Sequence, residues 1–252
     1  MYNNKSVSVV FATYKEKKSI RRVIQGFWKT GFVDEIIVVN NNAEKGTDKE
    51  VKKTKAKLVY ETKQGYGYAF QRALNEARGD LVVVCEPDGS FSGKDLEKFL
   101  LFAKEFDVVL GSRTSLIPSL SVAGMGVIRK FANVIEAKTI EVLFNTNALT
   151  DVGCTYKLFK RKSLNKIKKL WKQKSPLFNT ELVLLTVSQR IPFVEIPVTY
   201  LKRVGKSSVV EGKLQVLKWA LVIQIYILYF WFRWFLYSLI NYSSDFEEIS
   251  LF

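Results

Sequence analysis

Five apolar runs punctuate the first part of the chain: VSVVFA (7 to 12), EIIVVN (35 to 40), KLVYE (57 to 61), LVVVCE (81 to 86) and DVVLG (107 to 111). Between them lie stretches whose apolar residues recur at helical spacing. Strands alternating with helices predict an α/β domain built on a mainly parallel sheet flanked by helices. The runs are continuous rather than alternating, as expected of strands covered on both faces.

Beyond residue 115 the pattern loosens. Residues 128 to 144 have helical spacing, TYKLFKR (155 to 161) reads as a strand, 180 to 190 as a helix and FVEIPVTYLKR (193 to 203) as a last strand. Residues 214 to 240 then form an unbroken apolar segment rich in aromatic residues, with Lys218 and Arg233 as its charges. Its length suffices to cross a bilayer. On a helix, Gln215, Lys218, Tyr226, Tyr229 and Arg233 cluster on one side, which predicts a helix lying in a membrane interface with its apolar side buried there. A tilted span, a core helix or a homo-oligomer contact are the alternative uses. The expected organisation is a domain over 1–212, this helix over 213–241 and an acidic tail over 242–252.

In open α/β sheets ligands collect beyond the carboxyl ends of the strands. Thr13-Tyr14, Asn40-Asn41-Asn42, Glu86-Pro87-Asp88 and Ser112-Arg113 all fall at such ends and are expected to face one crevice. Glu86 and Asp88, two residues apart in extended chain, share a face and can approach one divalent cation. Mg2+ or Mn2+ suits them, because such hard ions take one or two carboxylates together with phosphate oxygens and water. Gly65-Tyr66-Gly67 opens a helical stretch and reads equally as a turn needing flexible geometry or as a ligand contact. It lacks the third glycine of a dinucleotide-binding turn, and no Walker pattern is present.

Composition narrows the chemistry. The 252 residues contain no histidine, which excludes His bases, His triads and His metal ligands. Cys85 and Cys154 are too few for a disulfide framework and are expected to be buried thiols. A formal charge of +15 suits an anionic partner. Scattered basic residues, without a stacking platform of aromatics, argue against nucleic acid. MYNNKSVSVV lacks the pattern of a signal peptide, so the first strand is expected to open the chain. Lys202, Arg203, Lys206 and Lys213 precede the long helix and acidic residues follow it, which places the main domain on the cytoplasmic face.

The order VSVVFATYKE, EIIVVNNNAEKGT, KQGYGYAFQRALNEARGD, VVVCEPDGSF and VVLGSRT, followed by DVGCTYKLFKR, FNTELVLL and VEIPVTYLKRVGKSS, resembles family 2 glycosyltransferases of GT-A fold. The likeness is to their polyprenyl-phosphate branch, which includes dolichyl-phosphate mannose synthases, and it covers roughly residues 6 to 210. It implies that Thr13, Tyr14 and Glu16 form a nucleotide-binding loop, with Asn40 at the base or ribose and Gly65, Tyr66 and Gly67 as the glycine turn. Glu86 and Asp88 match the D-x-D metal motif. Arg113, Arg129 and Asn133 match acceptor-phosphate positions, Arg203 and Ser207 match a segment that closes over the diphosphate, and Glu181 stands where many members keep a catalytic carboxylate. The chain departs from the pattern at Ala12, Lys15, Asn40 and Glu86. Glu for Asp keeps the charge and adds a methylene, whereas Asn for Asp loses a charge but keeps an acceptor.

The resemblance implies an inverting, metal-dependent transfer of sugar from a nucleotide-sugar donor to a polyprenyl phosphate at a membrane surface, in glycolipid biosynthesis. A phosphate acceptor is already anionic and needs no base. Transfer to a saccharide hydroxyl would require one, with Glu181 as the candidate. A non-catalytic, nucleotide-sugar-binding membrane protein is the third reading, prompted by Asn40 and Glu86.

Overall fold

The computed structural model describes residues 1–114, 126–205 and 212–249, with residues 213 and 241–249 as backbone only. Its seven strands are β1 (Val7–Thr13), β2 (Glu35–Asn40), β3 (Lys57–Tyr60), β4 (Leu81–Val84), β5 (Val108–Ser112), β6 (Lys157–Lys160) and β7 (Phe193–Pro197). They form one sheet in the order β3-β2-β1-β4-β6-β5-β7. All neighbours are parallel except β6, which runs antiparallel to both β4 and β5. The mainly parallel α/β architecture expected of the sequence is therefore present, with each apolar run in a strand.

The two-residue period of each strand sorts its side chains into two cores. Val10, Ile37, Val39, Val82 and Val84 enter one core, while Val9, Ile36, Val38, Leu81 and Val83 enter the other. Helices α1 (Ile20–Trp28), α2 (Thr47–Lys52) and α4 (Leu96–Phe102) supply the second core with Ile24, Phe27, Val51 and Phe99. The first core is closed by α3 (Tyr66–Glu76), α5 (Val127–Phe144), α6 (Arg161–Lys168) and α7 (Phe178–Ser188). Every residue of α7 is buried, which explains a helix apolar nearly all round.

Helix α8 (Lys213–Ile249) runs well past the expected limit and takes in most of the acidic tail. It lies along α5: Trp231 Nε1 donates to the Leu143 carbonyl at 2.8 Å and Gln224 Nε2 to Thr139 Oγ1 at 3.0 Å. Tyr226 and Ile227 are buried and Trp231 and Trp234 pack on the first core. The expected polar side is thus corrected. Tyr226 points inward to Glu181, while Leu214, Leu217, Leu221, Ile225 and Phe232 face outward. The helix has two apolar sides, one spent on protein and one exposed.

Candidate active site

A cleft of about 450 Å³ opens over the carboxyl ends of the parallel strands. Thr13, Tyr14, Glu16, Tyr66, Glu86, Arg113, Arg129 and Arg203 all line it, so residues spread over the sequence converge on one crevice. At the end of β1, the Glu16 carboxylate accepts from the Tyr14 and Lys15 amides at 2.7 and 2.9 Å and from Thr13 Oγ1 at 3.1 Å. Those bonds close the loop on itself.

Asn40 does not line the cleft. Its Nδ2 donates to Asp48 Oδ1 at 2.5 Å and its Oδ1 accepts from the Ala43 amide at 2.7 Å, so both polar atoms serve the β2-to-α2 turn. Its neighbour Asn41 takes the cleft position and pins the next loop, donating to the Glu61 and Lys63 carbonyls and accepting from the Gly65 amide. Strand alternation turns adjacent side chains to opposite sides, and three asparagines in a row carry no mark of which one faces in.

The glycine turn resolves toward packing. A Cβ on Gly67 would lie 2.6 Å from the Gln173 carbonyl oxygen, and one on Gly65 2.7 Å from that of Lys174. Neither glycine lines the cleft, whereas Gln64 and Tyr66 do. The loop before α7 lies directly on the start of α3, and only glycine leaves room for it.

Beyond Val84 the chain leaves β4 and turns at Gly89, whose φ is +81°. Asp88 is buried; its Oδ1 accepts from the Ser90 amide at 2.8 Å and from Ser90 Oγ at 2.5 Å. The segment after β7 lies over this turn, with the Leu201 and Val204 amides donating to the Ser90 and Asp88 carbonyls. It carries Arg203, whose Nη2 stands 2.7 Å from Glu86 Oε2 and 2.5 Å from Asp88 Oδ2. One nitrogen cation touches both carboxylates, so the two oxygens converge as the i, i+2 spacing requires. Burial pushes the Glu86 carboxyl up to about 7, against the pull of Arg203 and with the push of Asp88.

Asp88 Oδ2 is buried and, among the described residues, has no hydrogen-bond donor; its contact with Arg203 is an ion pair off the hydrogen-bond direction. An oxygen left in this condition suits a divalent ion. Among the described residues no cluster of three acidic, cysteine or histidine ligands occurs, so a bound Mg2+ or Mn2+ would rest on Glu86 and Asp88 and draw its other ligands from diphosphate and water.

Across the cleft, Arg113 is locked by Asp151. Its Nε and Nη2 donate to Oδ2 and Oδ1, both at 2.8 Å, and its own amide donates to Oδ2 at 2.8 Å. Glu195 in turn accepts from the Thr150 and Asp151 amides. The Arg113 guanidinium also lies over the Tyr200 ring, 5.3 Å from its centroid. Burial lowers the pKa of Arg129, and the neighbouring charges of Arg113 and Arg203 add to that. Asn133 lies behind Arg113 and off the cleft wall: a Cβ on Gly153 would meet Asn133 Oδ1 at 2.5 Å and Arg113 Nη2 at 2.8 Å.

Ser207 lies outside the described residues. Glu181 is buried away from the cleft wall, accepting from the Lys172 and Gln173 amides at 3.0 Å each and from the Tyr226 hydroxyl at 3.2 Å. It fastens a loop to α8. Asp151, which holds Arg113, and Thr155 are not revealed by strand ends because they precede an antiparallel strand, and Tyr200 falls within the run expected as the last strand, which ends at Pro197.

The profile of glycosyl transferase family 2 matches residues 8–168, and the chain belongs to that family. It is 24% identical over 212 residues to a dolichyl-phosphate hexose transferase of Haloferax volcanii, covering 82% of this chain and 87% of that protein. It is 23% identical over 222 residues to a dolichyl-phosphate beta-glucosyltransferase of Saccharomyces cerevisiae, covering 77% of this chain and 66% of the yeast protein. Among solved structures, glucosyl-3-phosphoglycerate synthase of Mycobacterium tuberculosis, in complex with Mn2+, uridine diphosphate and phosphoglyceric acid, superposes with a TM-score of 0.69 at 14% identity. That likeness covers 92% of this chain and 78% of the other, and it establishes a shared fold.

Proposed function

We propose that the protein transfers a hexose from a nucleotide-sugar to a polyprenyl phosphate at a membrane surface, inverting the anomeric carbon. One observation carries this reading: a carboxylate pair converging on a single cation faces two arginines across one cleft. The first feature suits a leaving diphosphate and the second an incoming phosphate. The names of the similar archaeal and yeast proteins, both dolichyl-phosphate transferases, point to the same acceptor class.

In the reaction, an oxygen of the acceptor phosphate forms a bond to the anomeric carbon as the bond from that carbon to the diphosphate oxygen breaks. The electron pair leaves with the nucleoside diphosphate. Glu86 and Asp88 would hold a Mg2+ or Mn2+ ion, which would supply Lewis-acid neutralisation of the departing charge. Arg203, already at the carboxylates, adds a second positive charge there. Arg113 is held in fixed orientation by Asp151, and Arg129 brings further charge to the same wall, so the acceptor phosphate is oriented by charge-assisted hydrogen bonds. No step requires a base, which agrees with Glu181 being committed to a loop; Glu181, the base named for transfer to a saccharide hydroxyl, does not line the cleft.

The exposed side of α8 supports membrane attachment. Leu214–Ile240 reaches a mean hydropathy of 1.5, and the stretch is long and apolar enough to cross a bilayer. Its contact with α5 and α7 along one side favours a helix lying against the surface, and the basic residues preceding it favour the cytoplasmic face for the domain.

The test incubates purified protein with radiolabelled nucleotide-sugars and polyprenyl phosphate in Mn2+, in Mg2+ and in chelator. Label entering the organic phase, and lost in chelator, is the expected result. Label that enters equally in chelator overturns the metal role; label that never enters overturns the acceptor.

A further inference from the structure

Thr155 sits on the short segment leading into β6. Because β6 runs antiparallel between β4 and β5, this segment rises beside the carboxyl ends of both neighbours. Strand order therefore fixes a sequence of groups along the rim: Asn41 after β2, Thr13 at β1, Glu86 after β4, Thr155 before β6, Arg113 after β5 and Tyr200 after β7. All six line the one cleft.

Thr155 is 7% exposed, and its Oγ1 is buried with no hydrogen-bond partner among the described residues. Adjacent polar groups are already engaged. Asn179 accepts from the Lys157 ammonium at 2.5 Å and donates to the Val152 carbonyl at 3.0 Å. The Ser112 and Thr114 hydroxyls pair with Thr150, and Arg113 pairs with Asp151. A buried hydroxyl is rarely left unmatched, because burying it unpaired forfeits its bonds to water. In the cleft wall, a bound ligand can supply that partner.

We propose that the Thr155 hydroxyl hydrogen-bonds a hydroxyl of the transferred sugar and so helps select it. The inference rests on the proposed function. With the diphosphate at Glu86 and Asp88 and the acceptor phosphate at Arg113, the part of the substrate between them is the group that moves. Thr155 stands in that interval along the rim. A neutral hydroxyl, donor and acceptor at once, matches a sugar hydroxyl better than it matches a phosphate, for which the cleft already holds three arginines.

Calorimetric titration of the full chain in Mn2+ tests the assignment. The probes are UDP-glucose and GDP-mannose, each with its free nucleoside diphosphate and with deoxy-sugar analogues. Thr155→Val removes the hydroxyl at constant volume, and Thr155→Ser keeps it. For whichever nucleotide-sugar binds, Thr155→Val is expected to weaken affinity about five- to tenfold, the loss of one neutral hydrogen bond. Affinity for the free diphosphate should stay within about twofold, a change within the scatter of one weak contact. Thr155→Ser should bind as the parent does, and one deoxy analogue should be insensitive to Thr155→Val.

Unchanged nucleotide-sugar affinity in Thr155→Val, or an equal loss for the free diphosphate, overturns the inference while leaving the proposed function intact. Failure of the parent protein to bind any nucleotide-sugar overturns both. Binding of the donor without transfer to polyprenyl phosphate removes the acceptor assignment alone and leaves Thr155 judged by its own titration.

Discussion

Arg113 and Asp151 form a bidentate pair across two loops, buried on both sides and reinforced by the Arg113 amide. Asp151→Asn keeps the shape and removes the charge, leaving a buried guanidinium uncompensated. Breaking one partner of such a pair costs about 3–5 kcal/mol. Chemical denaturation should show that loss, and transfer to polyprenyl phosphate should fall with it. Stability equal to the parent's would mean that Arg113 is held by something else.

The carboxylate turn should be the most sensitive element. Asp88→Asn is expected to lower metal-dependent turnover by roughly 10²–10³-fold, the range seen when one electrostatic stabiliser is removed from a transition state. Glu86→Asp keeps the charge and shortens the reach by a methylene; a shift in the Mn2+ to Mg2+ activity ratio would show that the longer side chain sets the geometry. Steady-state rates in each metal distinguish the two effects.

Gly67 offers a test of close packing against ligand contact. Gly67→Ala forces a methyl against the Gln173 carbonyl and the Lys174 backbone, and should destabilise by about 1–3 kcal/mol. Nucleotide-sugar affinity of the folded protein should change little. The reverse pattern, full stability with lost affinity, would return the glycine turn to the ligand.

Glu136 lies on α5 in an apolar groove against α8, with Oε2 buried and lacking a partner among the described residues. Burial, and then the charge of Asp151, pushes its carboxyl from 4.5 up to about 8, with Arg113 opposing. Between 4.5 and about 8 the folded state binds more protons than the unfolded, so stability from this group is full below 4.5 and is lost as pH rises toward 8. Glu136→Gln should be more stable than the parent at pH 9 by a few kcal/mol, on the order of 2–4. At acid pH the two should nearly coincide. Thermal melts across pH measure it.

The outward side of α8 should carry the membrane contact. Leu221→Glu or Phe232→Glu is expected to weaken binding to anionic vesicles by roughly tenfold or more, while leaving the melting temperature close to the parent's. Trp234→Ala, on the inner side, should instead lower stability by about 3–5 kcal/mol. Vesicle sedimentation and denaturation separate the two sides.

Strands and their ends are legible because a continuous apolar run of strand length, bounded by polar turns, fits a sheet covered on both faces and little else. Polar clusters closing four such runs then predict one crevice. The direction of β6 is not legible. Nothing in KLFK distinguishes parallel from antiparallel pairing, and Thr155 and Asp151 owe their places to that direction. Asn40 and Glu181 depart from expectation for a related reason: both are polar residues consumed by the turns and loops beside them, and the residue type alone does not show what its hydrogen bonds already hold. The amphipathic reading of α8 failed at Tyr226, whose hydroxyl is polar but whose ring is buried against α7 and accounted for by Glu181.

That same tyrosine joins distant parts of the molecule. From the Tyr226 hydroxyl the connection runs to Glu181, then to the Lys172 and Gln173 amides, and from that loop to Gln71 and the Gly67 amide on α3. Tyr66, beside Gly67, is part of the cleft wall. Helix α8 and the wall of the cleft are thus bolted to one frame; with α8 on a bilayer, as proposed, its depth in lipid would dictate how high above it the cleft stands.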